Sequence, residues 1–132
     1  MQELLAAPEQ VEINGRNYTL GTYLWRDFMP GTYGPDGSDL MAIVTISETA
    51  FQAIPTDTTA TYLWFINGEE IWGSSFSDES RPPVPAYQME KIARGGPRWS
   101  PGTNVIVVVK MADGSGGTYL LKAPEQLIQA TY

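Results

Sequence analysis

The feature that most constrains this chain is the alternation of short β-forming runs with tight-turn signals. Asn-Gly pairs stand at residues 14–15 and 67–68, each between runs rich in valine, isoleucine, threonine and aromatic residues. Asn-Gly suits the two positive-φ positions of a type I′ turn, which favours a two-residue β-hairpin loop. A glycine-rich turn signal follows at residues 113–117. Because no stretch of ten residues carries apolar residues at helical spacing, the pattern predicts an all-β fold.

The register of the first hairpin can be derived from its loop. A two-residue loop at 14–15 pairs Ile13 with Arg16. Side chains alternate between the two faces of a strand, so the apolar residues of both strands are predicted to share one face. These residues are Val11, Ile13, Tyr18 and Leu20.

The second hairpin is predicted over residues 61–76 by the same argument. A two-residue loop at 67–68 pairs Trp64 with Ile71. One face then carries Tyr62, Trp64 and Ile71, and the other carries Leu63, Phe65 and Trp72. Since only one face can meet the main core, the other apolar face is left for a second contact.

Two further runs are predicted to be interior strands. Leu40–Ser47 is apolar at both sets of alternating positions, and residues 105–109 are five consecutive β-branched residues. Pro124 cannot donate to a ladder and is expected to end the strand that begins at Thr118. Residues 125–131 are predicted to form a last edge strand, with a short helical turn as the alternative.

The length of the chain fits one domain. The 132 residues, 42% of them apolar, suffice for a core without disulfides. Residues 1–8 are predicted to be a flexible leader, and residues 9–132 a single antiparallel β-sandwich of about seven to nine strands. A small antiparallel β-barrel is the alternative.

The order of elements resembles a bacterial immunoglobulin-like or fibronectin-III-like sandwich. The residues that carry the resemblance are the strand of Trp64, the Asn67-Gly68 hairpin after it, and the late runs Asn104–Met111 and Thr118–Lys122. The inter-sheet cysteine pair of antibody domains is absent. The resemblance implies a fold and no particular activity.

Residue types that are missing argue against catalysis. The chain has no histidine and no cysteine, which excludes histidine-dependent triads, thiol nucleophiles and zinc sites of the usual kinds. The acidic pairs at 69–70 and 78–79 are adjacent in sequence, so on a strand their side chains point to opposite faces. We therefore expect no enzyme, no cofactor and no catalytic residue.

The charge balance restricts the partners. Fifteen acidic against eight basic residues give a formal net charge of −7, which should repel nucleic acid and anionic membranes. No apolar run reaches the length of a membrane span, so no membrane insertion is expected. The start lacks the basic and apolar regions of a signal peptide. The protein is cytoplasmic if Met1 is native, and secreted or in the cell envelope if a signal was removed.

Aromatic and arginine side chains near turns are the candidate binding residues. They are Trp25, Arg26, Trp72, Arg98 and Trp99. Exposed rings would suit a protein partner or a carbohydrate, although aromatic rings also fill β cores. The neighbours Arg26 and Asp27 suggest an ion pair that pins the long turn-rich stretch 26–39, with part of a recognition patch as the alternative.

Asp36 and Asp39 are weak candidates for a Ca²⁺ site, and the turn with Asp113 and Ser115 is similar. Each loop offers too few oxygen ligands alone, and turn formation explains it as well. The sequence thus predicts a non-enzymatic interaction or structural module that binds a protein partner or a second copy of itself. A domain that binds carbohydrate or another small ligand through exposed aromatics is the alternative.

Overall fold

The computed structural model describes residues 2–30 and 34–132. Its elements in chain order are α1 (Gln2–Leu5), β1 (Gln10–Ile13), β2 (Arg16–Asp27), β3 (Leu40–Glu48), β4 (Thr59–Asn67), β5 (Glu70–Ser74), β6 (Gln88–Gly96), β7 (Asn104–Ala112) and β8 (Thr118–Thr131). The fold is all-β, as the sequence predicts. The eight strands form one curled, mixed sheet in the order β5-β4-β7-β8-β2-β3-β6, with β1 paired to β2.

The last strand joins the two halves of this sheet. Residues 118–127 of β8 pair antiparallel with β7, whereas residues 128–131 pair parallel with β2. Within the antiparallel pairing, the register of β7 and β8 shifts between Val105 and Val107, and Glu125 in the opposite part of β8 has a φ of 57°. A bulge of this kind bends a strand and increases its twist. The predicted purely antiparallel arrangement is therefore wrong, because β8 and β2 run in the same direction.

Pro124 does not end the strand. It lies in the bulge, where a missing N–H costs no ladder bond, and β8 continues to Thr131. Residues 125–131 are a strand, as predicted, but β8 lies between β7 and β2 and is not at an edge. The interior positions predicted for β3 and β7 are confirmed, since each lies between two neighbouring strands.

The first hairpin follows the prediction. Ile13 pairs with Arg16 and Val11 pairs with Tyr18, while Asn14 and Gly15 have φ values of 51° and 80°. Both loop residues thus adopt the positive φ that a type I′ turn requires.

The second hairpin has the predicted faces but a different register. Its loop is Gly68-Glu69, so Asn67 pairs with Glu70 and Trp64 pairs with Gly73 rather than with Ile71. Only Gly68 of the two loop residues has a positive φ, which is typical of a type II′ turn with glycine at its first central position. The shift keeps Phe65 and Trp72 together on the inner face because they pair directly.

The main core lies inside the curl and draws on both halves of the sheet. Its largest fully buried side chains include Tyr18, Leu24, Phe65, Met111 and Ile128. A second cluster lies on the outer face of the β4–β7–β8 half, where Leu4 and Ala7 pack against Ile66 and Val108. The segment predicted as a leader therefore contacts the sheet over residues 2–8, and Met1 lies outside the described residues.

The loop within the turn-rich stretch 26–39 is shorter than the sequence predicts. The strand β2 includes Arg26 and ends at Asp27, and β3 begins at Leu40. Residues 31–33 of this stretch lie outside the described residues. The remaining part folds back on β2, since the Ser38 N–H donates to the Asp27 carbonyl oxygen at 2.8 Å.

Candidate functional site

Five of the seven residues selected from the sequence converge at one end of the sheet. Contacts of Arg26 join two loops, 34–39 and 97–101. Those loops carry the other four residues, Asp36, Asp39, Arg98 and Trp99. The remaining two, Trp25 and Trp72, lie on other surfaces of the sheet.

Arg26 holds these two loops together. Its side chain is 5% exposed, and its Nε donates to the Ser38 carbonyl oxygen at 2.9 Å. Its Nη1 donates to the carbonyl oxygens of Arg98 and Trp99 at 3.3 and 3.2 Å, and its Nη2 donates to that of Asp36. The guanidinium also lies 4.9 Å from the ring centre of Phe28. The planar fork of arginine is suited to this several-sided contact.

The pinning role expected of Arg26 is present, but carbonyl groups perform it instead of Asp27. The Asp27 carboxylate accepts a hydrogen bond from the Met29 N–H at 2.9 Å. Burial, reinforced by the nearby charge of Arg98, lowers the pKa of Arg26 below its ordinary range. A buried guanidinium with carbonyl partners on three sides serves to fix the loops and offers little to a ligand.

Ser38 completes this clamp and was missed by the sequence analysis. It is 4% exposed, its hydroxyl accepts a hydrogen bond from the Asp27 N–H at 2.8 Å, and it donates to the Asp39 carbonyl oxygen at 2.8 Å. A serine in a turn-rich loop has no distinguishing sequence signal, because the loop fold alone brings it to β2.

A groove of about 490 Å³ lies beside the clamp. It is lined by Arg26, Phe28, Pro35, Asp36, Arg98, Ser100 and Pro101. The Arg98 Nε donates to the Asp39 Oδ1 at 3.0 Å in an exposed ion pair, so the two residues partner each other. Within residues 2–30 and 34–132, no group of three or more acidic side chains is placed to hold a metal ion.

Two of the three candidate tryptophans serve mainly as core. Trp72 stacks on Phe65 with ring centres 5.2 Å apart, and both Trp72 and Trp99 pack against the main core. Both residues are half-buried.

Trp25 occupies the outer face of the sheet beside an aromatic residue that the sequence analysis did not select. The Tyr23 and Trp25 rings stack with centres 5.4 Å apart and an angle of 29° between planes. Tyr23 is 47% exposed and Trp25 is half-buried. The spacing of two residues along β2 was the available signal, because residues i and i+2 of a strand share a face.

Neighbouring strands extend this pair into a surface that we call the aromatic face: Tyr23, Trp25, Ile43 and Leu127. Ile43 of β3 pairs with Tyr23. Leu24 pairs with Ile128 in the parallel ladder, so the preceding residues Tyr23 and Leu127 lie side by side. Leu127 is 43% exposed.

Polar groups border the aromatic face. Gln129 pairs with Trp25 on one side, and Met41 pairs with Trp25 on the other. The Arg94 Nη1 lies 3.0 Å from the Met41 sulfur, and Arg94 binds both carboxylate oxygens of Glu79 at 2.6 and 3.0 Å. This bidentate contact is the main reason that the pKa of Glu79 falls from 4.5 to about 2. The aromatic face thus has an apolar centre and a charged, hydrogen-bonding margin.

Comparison with protein families, with curated proteins and with solved structures finds no match to this chain. In the part of the chain that the structure describes, no helix has the length and hydrophobicity needed to cross a bilayer.

Proposed function

We propose that this protein is a non-catalytic binding module and that the aromatic face is the surface that docks another protein. The carrying observation is the exposed stack of Tyr23 on Trp25 in the middle of a sheet face. Large rings on a rigid strand contribute contact area at little entropic cost, and tyrosine, tryptophan and arginine are enriched at binding hot spots.

The surroundings of the stack support a protein as the partner. Exposed apolar groups of Tyr23 and Leu127 lie together rather than singly, and Arg94 with Glu79 forms a polar margin. An apolar centre with a polar rim is the usual anatomy of a protein interface. A second copy of the chain is a poorer partner, because each copy has a formal net charge of −7.

Carbohydrate binding is the second proposal, and the ring geometry favours it. The two rings are within 29° of parallel, and Gln129 beside them supplies amide hydrogen-bonding groups. Sugar rings stack on such aromatic surfaces while their hydroxyls bind polar side chains at the edge.

We further propose that the fold is a modified relative of the immunoglobulin-like sandwich. The support is that two antiparallel groups, β5-β4-β7-β8 and β1-β2-β3-β6, enclose one core. In this interpretation, β8 contributes to both layers.

Photo-crosslinking from the aromatic face tests the protein-binding proposal. A benzophenone amino acid at position 127 should capture a partner from native extract, while the same group at Glu12 of β1 should not. Unlabelled wild-type protein should compete for capture, and the Tyr23→Ser variant should compete poorly. Equal capture from both positions, or equal competition by Tyr23→Ser, would contradict the proposal.

A glycan array separates the two proposals. Carbohydrate binding requires that wild-type protein bind a defined set of glycans and that Tyr23→Ser lose those signals. Since Tyr23 is half-exposed, circular dichroism should show that this variant remains folded. An empty array together with competed crosslinking supports a protein partner.

A further inference from the structure

The outer edge of the sheet at β5 is unprotected. β5 hydrogen-bonds to β4 only and is the last strand on that side. At the opposite edge, the Ser77 N–H donates to the Ile92 carbonyl oxygen of β6 at 2.8 Å, so the chain itself covers that strand. β5 reads Glu-Ile-Trp-Gly-Ser and lacks the lysine or proline with which proteins commonly block an edge.

The register identifies which backbone groups of β5 are free. Asn67 pairs with Glu70 across the two-residue loop, so Glu70, Trp72 and Ser74 direct their backbone groups toward β4. The N–H and C=O groups of Ile71 and Gly73 consequently point away from the sheet. Neither residue has another backbone partner in residues 2–30 or 34–132. They form a template for one additional strand.

An apolar groove lies along the outer side of this edge. It has a volume of about 630 Å³ and is lined by Gln2, Glu3, Leu4, Trp64 and Ile71. Ile71 is 45% exposed, although it belongs to the same outer face as the buried Ile66. A side chain from an added strand would cover Ile71 and reach the Trp64 ring.

The surroundings of this edge are acidic. Glu3 lines the groove, Glu69 lies in the loop before β5, and Glu70 begins β5 on the face opposite the groove. None of these three carboxylates forms an ion pair with the described residues. A basic partner would therefore be attracted to this edge, whereas a second copy of this chain, with its own formal net charge of −7, would be repelled.

We propose that β5 accepts an extended segment of a partner protein in which apolar residues alternate with lysine or arginine. The segment adds a strand that hydrogen-bonds to Ile71 and Gly73. Its apolar side chains cover Ile71 on the outer face, and its basic side chains meet Glu70 on the opposite face. This mode of strand addition draws affinity from the backbone and specificity from alternate side chains. The site is separate from the aromatic face and does not depend on it.

The probe is a synthetic heptapeptide of alternating lysine and valine with blocked ends. Titration into ¹⁵N-labelled protein should shift the amide signals of residues 70–74 and slow hydrogen exchange at Ile71 and Gly73. The same peptide with N-methylated valines keeps its charges but loses ladder bonds. It should bind about tenfold more weakly, since the hydrogen bonds from the valine N–H groups to the Ile71 and Gly73 carbonyl oxygens are lost.

Two variants supply the protein-side controls. Ile71→Pro removes the outward N–H while leaving the ladder to β4, so it should abolish peptide binding. In Ile71→Thr the peptide should still slow hydrogen exchange of the outward amides of β5. Equal affinity for both peptides, or signal changes outside β5 and its groove, would overturn the proposal because binding would then be electrostatic only. Dimerisation through β5 in light scattering would overturn it in favour of a second copy. The peptide comparison uses wild-type protein, so a misfolded variant leaves the test intact.

Discussion

The Arg26 Nη1 donates a hydrogen bond to the carbonyl oxygen of Trp99 at 3.2 Å, across 73 positions in the sequence. This contact joins the end of β2 to the loop that precedes β7. The guanidinium also binds the carbonyl of Ser38, so one side chain fixes two loops that flank the end of the curl.

Removing this guanidinium should destabilise the fold. We expect Arg26→Met to lower the free energy of unfolding by about 3 kcal/mol, since buried carbonyl groups lose charged hydrogen-bond donors. Chemical denaturation monitored by tryptophan fluorescence measures the difference. Arg98→Gln is the matched control, because it removes an exposed ion pair with Asp39 and should cost about 1 kcal/mol or less. Equal losses in the two variants would refute the clamp.

Tyr18→Phe should stabilise the protein. Tyr18 is fully buried, and its hydroxyl has no hydrogen-bond partner among the described residues. Deleting a buried, unpartnered hydroxyl removes a desolvation cost, so we expect a gain of about 1 kcal/mol in the free energy of unfolding. A loss of similar size would show that the hydroxyl is hydrogen-bonded in solution.

The same variant should change the alkaline stability. Burial, with a smaller effect of Glu48, raises the pKa of Tyr18 above its ordinary value of 10.0. The unfolded chain releases this proton first, so stability is lost as the pH rises above about 10. Tyr18→Phe should reduce that loss in denaturation curves measured from neutral to alkaline pH.

Asp113 should contribute to acid sensitivity. Its carboxylate accepts hydrogen bonds from the Ser115 and Gly117 N–H groups at 2.9 and 3.0 Å and from the Tyr119 hydroxyl at 3.0 Å. These bonds, that of Ser115 foremost, lower the pKa of Asp113 below its ordinary value of 3.8. The stabilisation is present above that value and is lost as the pH falls through the lowered pKa.

The variant Asp113→Asn tests this assignment. It should be less stable than wild type at neutral pH and show a shallower loss of stability below about pH 4. Tyr119→Phe keeps the carboxylate and both backbone donors, so it should retain most of the acid slope. If stability fell with pH as steeply in Asp113→Asn as in wild type, other groups would control the acid transition.

Glu125→Gly should stabilise the bulge of β8. Glu125 is exposed and holds a φ of 57°, a left-handed conformation that costs a side-chain-bearing residue about 1 kcal/mol. Glycine adopts it freely, so we expect a gain of about 0.5 kcal/mol in thermal or chemical unfolding.

Gly15→Ala is the reverse control for this conformational effect. Gly15 has a φ of 80°, and a Cβ built there has no neighbour within 4 Å. Its substitution should therefore cost about 1 kcal/mol through backbone strain alone. If both substitutions left stability unchanged, left-handed strain would not limit either turn.

Local chemistry made much of the fold predictable. Asn14-Gly15 defines the first hairpin because a type I′ turn requires positive φ at two adjacent positions. The alternation of side chains along β4 likewise places Trp64 and Phe65 on opposite faces of the sheet. The register of the second hairpin was predicted wrongly because Gly68-Glu69 forms an equally favourable loop one residue later. The side chains of this hairpin nevertheless lie on the predicted faces.

The sequence alone determined that this is a β-rich chain without histidine or cysteine, since turn propensity, side-chain alternation and composition are local properties. Tertiary structure decided that β8 pairs with both β7 and β2, that Arg26 binds carbonyls rather than Asp27, and that Tyr23 lies exposed beside Leu127. Those outcomes depend on which distant strands meet. Such pairing is selected by the burial of the whole core, and no short stretch of residues carries that information.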